Sequence, residues 1–258
     1  MGIDFHSKEN KNSYTTRHAD SSWNEVLKKI VPIDAISDAL DIGCGGGIYC
    51  KALSDLGVNN VTGLDFSEAI LEGARENCKD YNNISFKQGN ALATGLKSNC
   101  YDLILERALI HHIDDLASCF KESYRILKDN GYLIIQDRTP EDCLLKGDKS
   151  HIRGYFFELF PKLIFKEKNR RHDSQKVIEG FEKAGFKEVK EVKLWEVRRV
   201  YNHKKQLLED LRKRTGRSIL HELDNQELER LITYIDQSMT NEKEIIEKDR
   251  WTIWMAIK

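Results

Sequence analysis

Three closely spaced glycines carry the clearest chemical signal in this chain. Gly43, Gly45 and Gly47 stand in the stretch DIGCGGG at 41–47, between a short apolar run and a helical pattern. Glycine suits this position because the turn is tight and a ligand can approach the backbone without meeting a Cβ atom. The amino terminus of the following helix offers unpaired N–H groups and a partial positive charge. The loop therefore predicts a site for a nucleotide-type cofactor.

The spacing of these glycines separates two kinds of cofactor. Dinucleotide-binding loops follow the pattern G-x-G-x-x-G, which here would need a glycine at position 48, where the chain has Ile48. The observed pattern is G-x-G-x-G, which disfavours a dinucleotide. Asp65 ends the next apolar run about 20 residues after the loop.

The elements that position these residues follow from an alternation of short apolar runs and helical patterns. Five strands are predicted, at 39–42, 61–65, 84–87, 101–105 and 132–136. The connections are long enough for crossovers, so the strands should form a parallel sheet with both faces covered. This predicts a doubly wound α/β fold whose ligand lies at the carboxyl ends of the strands, where the strand order reverses.

The pattern changes after residue 138. An aromatic-rich segment at 140–172 is predicted to form a lid over the substrate, and a charged segment of helical period at 203–248 is predicted as an insertion between the last two strands. Those strands are a long run at 186–201 and a terminal run at 251–257. The predicted organisation is one domain, 1–258, with a helical cap at 1–36.

Bulk composition narrows the class of protein. The net charge is −1, so the chain as a whole should not attract nucleic acid or a membrane surface. No run of about 18 apolar residues predicts a membrane span, and the first residues lack the apolar core of a signal peptide. The six cysteines show no metal-binding spacing, so we expect reduced thiols in a soluble, cytoplasmic protein that needs no metal.

The stretch ALDIGCGGG at 39–47 resembles the first motif of class I S-adenosylmethionine (SAM)-dependent methyltransferases. The resemblance extends over about residues 37–137, and the nearest subgroup is that of small-molecule enzymes of the ubiquinone/menaquinone and trans-aconitate type. It implies a mostly parallel seven-stranded Rossmann-like sheet with an antiparallel C-terminal strand and helical insertions. It also implies SAM as methyl donor and S-adenosylhomocysteine as product.

The resemblance also implies which residues contact the cofactor. Asn90, with Ala91, stands where the family usually has aspartate, and its amide oxygen can still accept a hydrogen bond from the adenine amino group. Phe66 resembles the residue that packs on adenine, and Arg17 is expected to bind the methionine carboxylate through its two-pronged guanidinium. The remaining implied contacts are Asp41, Gly43, Cys44, Gly45, Gly47, Asp65 and Glu106.

Methyl transfer from a sulfonium is an in-line displacement, so the protein mainly aligns the acceptor and excludes water. A hydroxyl or acidic-carbon acceptor would also need a general base. His111 and His112 are the candidates, because both follow the fourth strand in a segment typical of the family. Candidate substrate contacts are Tyr14 near the amino terminus and His151, Arg153 and Tyr155 in the lid segment.

The sequence leaves several acceptors open. A small molecule is favoured, but residues 166–217 carry 17 Lys/Arg against 9 Asp/Glu, which suits an anionic acceptor or RNA as well as a solvated helical face. Methylation of RNA or protein is therefore the main alternative. Two further alternatives are a SAM-binding protein without catalysis and, at a distance, a nicotinamide-dependent oxidoreductase.

Overall fold

A computed structural model describes residues 19–240 and 243–258 of the chain. The described chain divides into two compact units. We call residues 19–137, 174–194 and 252–258 the sheet unit, and residues 138–173 and 195–251, without 241–242, the helical unit. Tyr14 and Arg17, two predicted ligand contacts, lie outside the described residues.

Seven strands form one sheet. They are β1 (Asp38–Ile42), β2 (Asn60–Asp65), β3 (Ile84–Gln88), β4 (Tyr101–Arg107), β5 (Leu127–Asp137), β6 (Lys187–Tyr201) and β7 (Ile245–Ile257). Their order is β3-β2-β1-β4-β5-β7-β6. Strands β1 to β5 pair with their neighbours in parallel, whereas β7 runs antiparallel to β5. The predicted doubly wound, mostly parallel α/β fold with an antiparallel C-terminal strand is confirmed.

Helices connect these strands. They are α1 (Ser21–Ile30), α2 (Ile48–Asp55), α3 (Glu68–Asn77), α4 (Leu116–Ile126), α5 (Pro140–Cys143), α6 (Arg153–Leu159), α7 (Lys162–Asn169), α8 (Ser174–Ala184), α9 (Lys204–Arg212) and α10 (Asn225–Ser238). Several begin where a short polar side chain accepts a hydrogen bond from a first-turn N–H, as Asp20, Ser67 and Asp115 do for α1, α3 and α4.

Alternate residues of the central strands enter two different cores, one on each face of the sheet. On β4, Leu103 and Leu105 pack in the core that includes Trp23, whereas Ile104 packs in the core that includes Phe120. This follows from the period of two along a strand. The same alternation continues to the end of β4 and sends the next two side chains, Glu106 and Arg107, to opposite faces.

The helical unit has an apolar core of its own, formed by α6, α7, α9 and α10 with the ends of β6 and β7. It also buries charge. The guanidinium of Arg217, with a side chain only 1% exposed, donates to Asp210 at 2.6 Å and to Glu247 at 2.7 Å. Because both carboxylates are paired, this buried cluster keeps its ions compensated. The segments predicted as lid and insertion both belong to this unit.

Candidate functional site

The glycine loop joins β1 to α2 with three left-handed residues. Gly43, Gly45 and Gly47 have φ of +75°, +54° and +76°, a conformation that side-chain-bearing residues rarely adopt. A Cβ on Gly47 would lie 2.7 Å from the Cys78 sulfur, so space as well as backbone requires glycine there. A Cβ on Gly45 would meet no atom within 4 Å, so the backbone of this residue faces open space.

The Asp65 carboxylate ties the glycine loop to the end of β2. One oxygen accepts a hydrogen bond from the Gly45 N–H at 3.0 Å, and the other accepts from the Ser67 N–H at 3.0 Å. Each carboxylate oxygen has a second lone pair and can accept a further bond. The side chain is half-buried, so the carboxylate can serve both the loop and a ligand with hydroxyl groups.

The ends of β2 and β3 bring Phe66 and Asn90 to neighbouring positions. The Gly89 N–H donates to the Asp65 carbonyl at 3.0 Å, and the Gln88 amide donates to the Phe66 carbonyl at 3.0 Å. The Phe66 side chain is 60% exposed. Asn90, followed by Ala91, uses its side-chain oxygen to accept the Leu92 N–H at 2.9 Å.

A buried acid and two thiols form the floor under the loop. Asp41 is 2% exposed and accepts a hydrogen bond from the Cys50 thiol at 3.5 Å, while Cys44 is 7% exposed. Burial raises the pKa of Asp41 to about 7, and Asp65 raises it further, although the Cys50 thiol and Arg107 favour the charged form. The Asp41 and Cys44 side chains therefore support the loop from below.

A histidine–aspartate pair lies where β4 and β5 end. The Nδ1 atom of His111 is 2.8 Å from an oxygen of Asp137, and the His111 backbone N–H donates to the same oxygen at 3.3 Å. Asp137 is 2% exposed, whereas the His111 side chain keeps 19% of its surface. A carboxylate at Nδ1 holds the proton there and leaves Nε2 as the basic atom. This is the arrangement of an oriented general base.

His112 lies beside this pair rather than within it. Its ring centre is 4.1 Å from that of His111, with the ring planes tilted by 41°. The ring is exposed. The geometry thus distinguishes the two predicted histidines, because a carboxylate orients His111 through its ring nitrogen.

Sequence reasoning missed several residues around the pair. Arg107 donates to the Gln136 side chain at 3.2 Å and stacks over the Tyr49 ring at 4.3 Å. Asp137 itself was also missed. Gln136 and Asp137 end β5 beside β4, so the signal was available: polar residues at the carboxyl ends of neighbouring parallel strands meet at one edge.

Glu106 takes a different position from the one that the resemblance implied. Its carboxylate is 0% exposed and accepts hydrogen bonds from Ser123 at 2.7 Å and from the Cys119 thiol at 3.5 Å, both on α4. Burial raises the pKa of Glu106 to about 7 despite these bonds. The side chain is sealed in the core and not offered to a ligand, so we leave it out of the proposed cofactor site.

The three predicted substrate contacts in segment 140–172 are buried in the helical unit. His151 is 1% exposed, Arg153 5% and Tyr155 7%. Tyr155 packs edge-on against Tyr234 in the apolar core. His151 and Arg153 instead belong to a cluster of charged groups. None of the helices in the part of the chain that the structure describes is long and apolar enough to cross a membrane.

Comparison with known proteins gives this geometry its context. Residues 40–135 match the family described as "Methyltransferase domain". A demethylmenaquinone methyltransferase of Staphylococcus haemolyticus is 29% identical over 181 residues, which are 65% of this chain and 76% of that protein. Its counterpart in Listeria welshimeri is 26% identical over 201 residues, 71% of this chain and 84% of that protein.

The fold is also found among solved structures. Phosphoethanolamine N-methyltransferase 2 of Haemonchus contortus, solved with SAM, matches with a TM-score of 0.60 at 19% identity, covering 99% of this chain and 60% of that chain. At this identity the similarity concerns the fold alone. The family match covers the glycine loop and the strands that position Asp65 and His111. Residues 40–135 therefore form a methyltransferase domain, and the protein is an enzyme that uses SAM as its methyl donor.

Proposed function

We propose that this enzyme transfers the methyl group of SAM to a small-molecule acceptor, with His111 as the general base. The observation that carries this proposal is the pair formed by His111 and Asp137 at the ends of β4 and β5. An oriented imidazole is needed for an acceptor that must lose a proton, such as a hydroxyl or an acidic carbon. The curated relatives are demethylmenaquinone methyltransferases, which supports a small molecule as acceptor.

The residues at the carboxyl ends of β1, β2 and β3 fit the cofactor. Gly45 offers open space beside a left-handed backbone, so a ligand can lie against it. We infer that the loop glycines Gly43, Gly45 and Gly47 hold the methionine part and that Asp65 accepts hydrogen bonds from the ribose hydroxyls. The exposed ring of Phe66 would cover one face of adenine.

Asn90 has a narrower part in this proposal than the sequence implied. Its side-chain oxygen already accepts the Leu92 N–H, so one lone pair remains for the adenine amino group. We assign Asp41 and Cys44 to the support of the glycine loop. Ala91, which follows Asn90 in the chain, is assigned to the surroundings of Asn90. Contacts from Tyr14 and Arg17, the lid role of segment 140–172 and a cytoplasmic location stay predictions.

Bound SAM supplies an activated methyl group on a sulfonium, so the protein's task is alignment and proton removal. The Nδ1–H of the His111 imidazole donates to the Asp137 carboxylate, so Nε2 is free to take the proton that the acceptor loses. Asp137 then faces the imidazolium and stabilises its charge. The proton leaves to solvent across the exposed part of the His111 ring.

The competing acceptor is RNA, which the basic segment 166–217 would favour. Within this segment at least ten basic side chains are already in ion pairs with acidic ones: Lys166, Arg170, Arg171, Lys183, Lys193, Arg198, Arg199, Lys204, Arg212 and Arg217. Paired charges are less available to phosphates. We therefore favour a small molecule over RNA.

The cofactor assignment is tested by calorimetric titration with SAM and with S-adenosylhomocysteine. We expect both to bind the parent protein and Asp65→Ala to bind them about 10- to 100-fold more weakly, because a charged hydrogen-bond acceptor is lost. Asp65→Asn keeps one acceptor oxygen and should fall between. Asp80→Ala removes an exposed acid of the sheet unit and is the matched control. Equal affinities in all four proteins would refute the assignment of Asp65.

The acceptor class is tested with SAM carrying a labelled methyl group. The enzyme is incubated with a cell extract separated into small molecules, RNA and protein, and label is counted in each fraction. We expect label in the small-molecule fraction, and at least 100-fold less with His111→Ala, from the roughly 10²–10⁴-fold that a positioned base contributes. Label confined to RNA or protein would sink the proposed acceptor class while leaving the cofactor assignment intact.

A further inference from the structure

A cluster of arginines and acids lies inside the helical unit. Asp249 faces Arg138, Arg153 and Arg198, and Glu167 faces Arg153, Arg170 and Arg171. The Glu167 side chain is fully buried, and that of Asp249 is 10% exposed. Each of the two carboxylates therefore faces the charges of three guanidinium groups.

Arg153 lies at the centre of this cluster with contacts that are too long for hydrogen bonds. Its NH1 atom is 3.6 Å from Glu167, and its Nε atom is 3.5 Å from Asp249. Both nitrogens are buried without a hydrogen-bond partner among the described residues. A buried guanidinium normally uses its fork to bind an anion through parallel hydrogen bonds. Neither the Glu167 nor the Asp249 carboxylate binds the Arg153 fork in this way.

His151 adds a second set of unused polar atoms. The residue is 1% exposed, and neither ring nitrogen has a hydrogen bond of normal geometry within the described part of the chain, although the Lys248 backbone lies near the ring. Its ring lies edge-on to Trp195 at 5.5 Å and faces the charges of Asp249 and Arg153. An imidazole buried without a partner costs free energy, which a ligand that accepts its N–H would recover.

The electrostatics of the neighbouring arginine agree with this geometry. Burial, together with the charges of Arg153 and Arg171, lowers the pKa of Arg138 to about 10, although Asp249 opposes the shift. The cluster reaches the surface at Arg138, whose side chain is 14% exposed, and at Arg170, whose side chain is 31% exposed.

We propose that Arg153 and His151, with Arg138 at the rim, bind a small anion that carries a carboxylate or a phosphate group. Such an anion would accept hydrogen bonds from the unused donors of Arg153 and His151, and its site lies within the helical unit.

The test uses the full-length protein and two simple ions as probes. Sodium phosphate and sodium acetate are titrated calorimetrically at an ionic strength held constant with sodium chloride, with and without saturating S-adenosylhomocysteine. We expect saturable binding of at least one ion. Binding of phosphate alone assigns a phosphate-bearing ligand to this site, and binding of acetate alone assigns a carboxylate-bearing one.

Two variants connect the binding to the cluster. Arg153→Lys keeps the positive charge between Asp249 and Glu167 but loses the guanidinium fork, and should bind the ion about ten-fold or more weakly. If Arg153→Lys does not fold, His151→Gln tests the same anion site. This substitution should be tolerated, because the His151 ring has no hydrogen bond of normal geometry to lose. Arg212→Gln, a half-exposed arginine of the same unit, is the matched control and should bind like the parent.

The outcomes separate this inference from the proposed function. No saturable binding of either ion, or equal binding by the parent, Arg153→Lys and His151→Gln, overturns the anion site. Titration of the same proteins with S-adenosylhomocysteine reports separately on the cofactor site. Loss of anion binding together with unchanged cofactor binding supports the inference.

Discussion

The position of one proton decides whether His111 can act as a base. Asp137→Asn keeps the size of the side chain but offers Nδ1 an amide that can donate, which favours the tautomer with the proton on Nε2. We expect kcat to fall about 100-fold or more, since that tautomer cannot accept the acceptor's proton. The measurement is the rate of labelled methyl transfer as a function of pH.

Two readouts distinguish this role of Asp137 from a structural one. The Kd of SAM should stay within about two-fold of the parent, and part of the lost rate should return as pH rises, if an acceptor proton dissociates without help. A variant that loses cofactor affinity and rate together would point to a damaged fold. Asp114→Asn, an exposed acid in the same connection after β4, is a suitable control.

Glu106 provides a test of burial that does not involve catalysis. Its pKa is raised by burial from 4.5 to about 7, so the folded protein holds this proton over a pH range in which the unfolded chain releases it. The free energy of unfolding should therefore fall as pH rises from about 4.5 to about 7, by up to about 1.4 kcal/mol per pH unit.

The variant Glu106→Gln removes this contribution while keeping an oxygen that accepts from Ser123. Relative to the parent, it should be more stable at pH 8 than at pH 5, as measured by urea unfolding. Glu76→Gln, at an exposed position on α3, should follow the parent at both pH values. A Glu106→Gln curve parallel to that of the parent would show that the buried carboxyl does not hold its proton.

Some of these residues could be predicted from the sequence and others could not, for physical reasons. The conformational need for Gly43, Gly45 and Gly47 was predictable because tight turns restrict residue type locally. Asp137 was missed because its role depends on the pairing of β4 with β5 across 26 residues. Glu106 was misplaced because a motif fixes the position of a residue along a strand but not the face that its side chain takes.

At the level of elements, the loop between β1 and α2 allows two effects of a substitution to be measured separately. One is the cost of backbone strain in stability, and the other is the loss of a ligand contact in affinity. Gly45 and Gly57 both have positive φ, +54° and +99°, and a Cβ on either would meet no atom within 4 Å. Alanine at each position should cost about 1–2 kcal/mol of stability from the backbone alone. Gly45→Ala should in addition weaken SAM binding at least about ten-fold, whereas Gly57→Ala should not.

This comparison is read from two experiments on each variant, thermal unfolding and titration with SAM. Similar losses of stability with a loss of affinity confined to Gly45→Ala would place the cofactor against the loop. Similar affinities in the two variants would contradict that placement. Gly57 lies at the end of α2, so both substitutions perturb the same helix from opposite ends.

The sheet follows from the sequence pattern more directly than the helical unit does. Strands β1 to β5 follow from apolar runs of strand length, and their parallel pairing follows from the crossovers between them. The helical unit assembles segments 138–173 and 195–251, which are distant in the sequence. Its charged core gave no periodic signal, because buried arginines such as Arg153 look like surface residues in a sequence pattern.

At the level of the whole molecule, charge decides between the two classes of acceptor. The net charge is −1, and most basic side chains of segment 166–217 have acidic partners. We expect tRNA to bind no more tightly than about 10⁻⁶ M at about 0.15 M salt, the range of non-specific association. Filter binding at several salt concentrations measures this. Sub-micromolar binding with a steep salt dependence would favour RNA as the acceptor.

The end of β5 and the residue after it carry three consecutive side chains that each hold a polar partner: Gln136 holds Arg107, Asp137 holds His111, and Arg138 contacts Asp249. Side chains alternate along a strand, so inserting or deleting a single residue here would exchange the faces of all three at once. The strand should therefore accept point substitutions far better than changes of length. For anyone altering this enzyme, the safe sites for insertion are the loops, and β5 should keep its residue count.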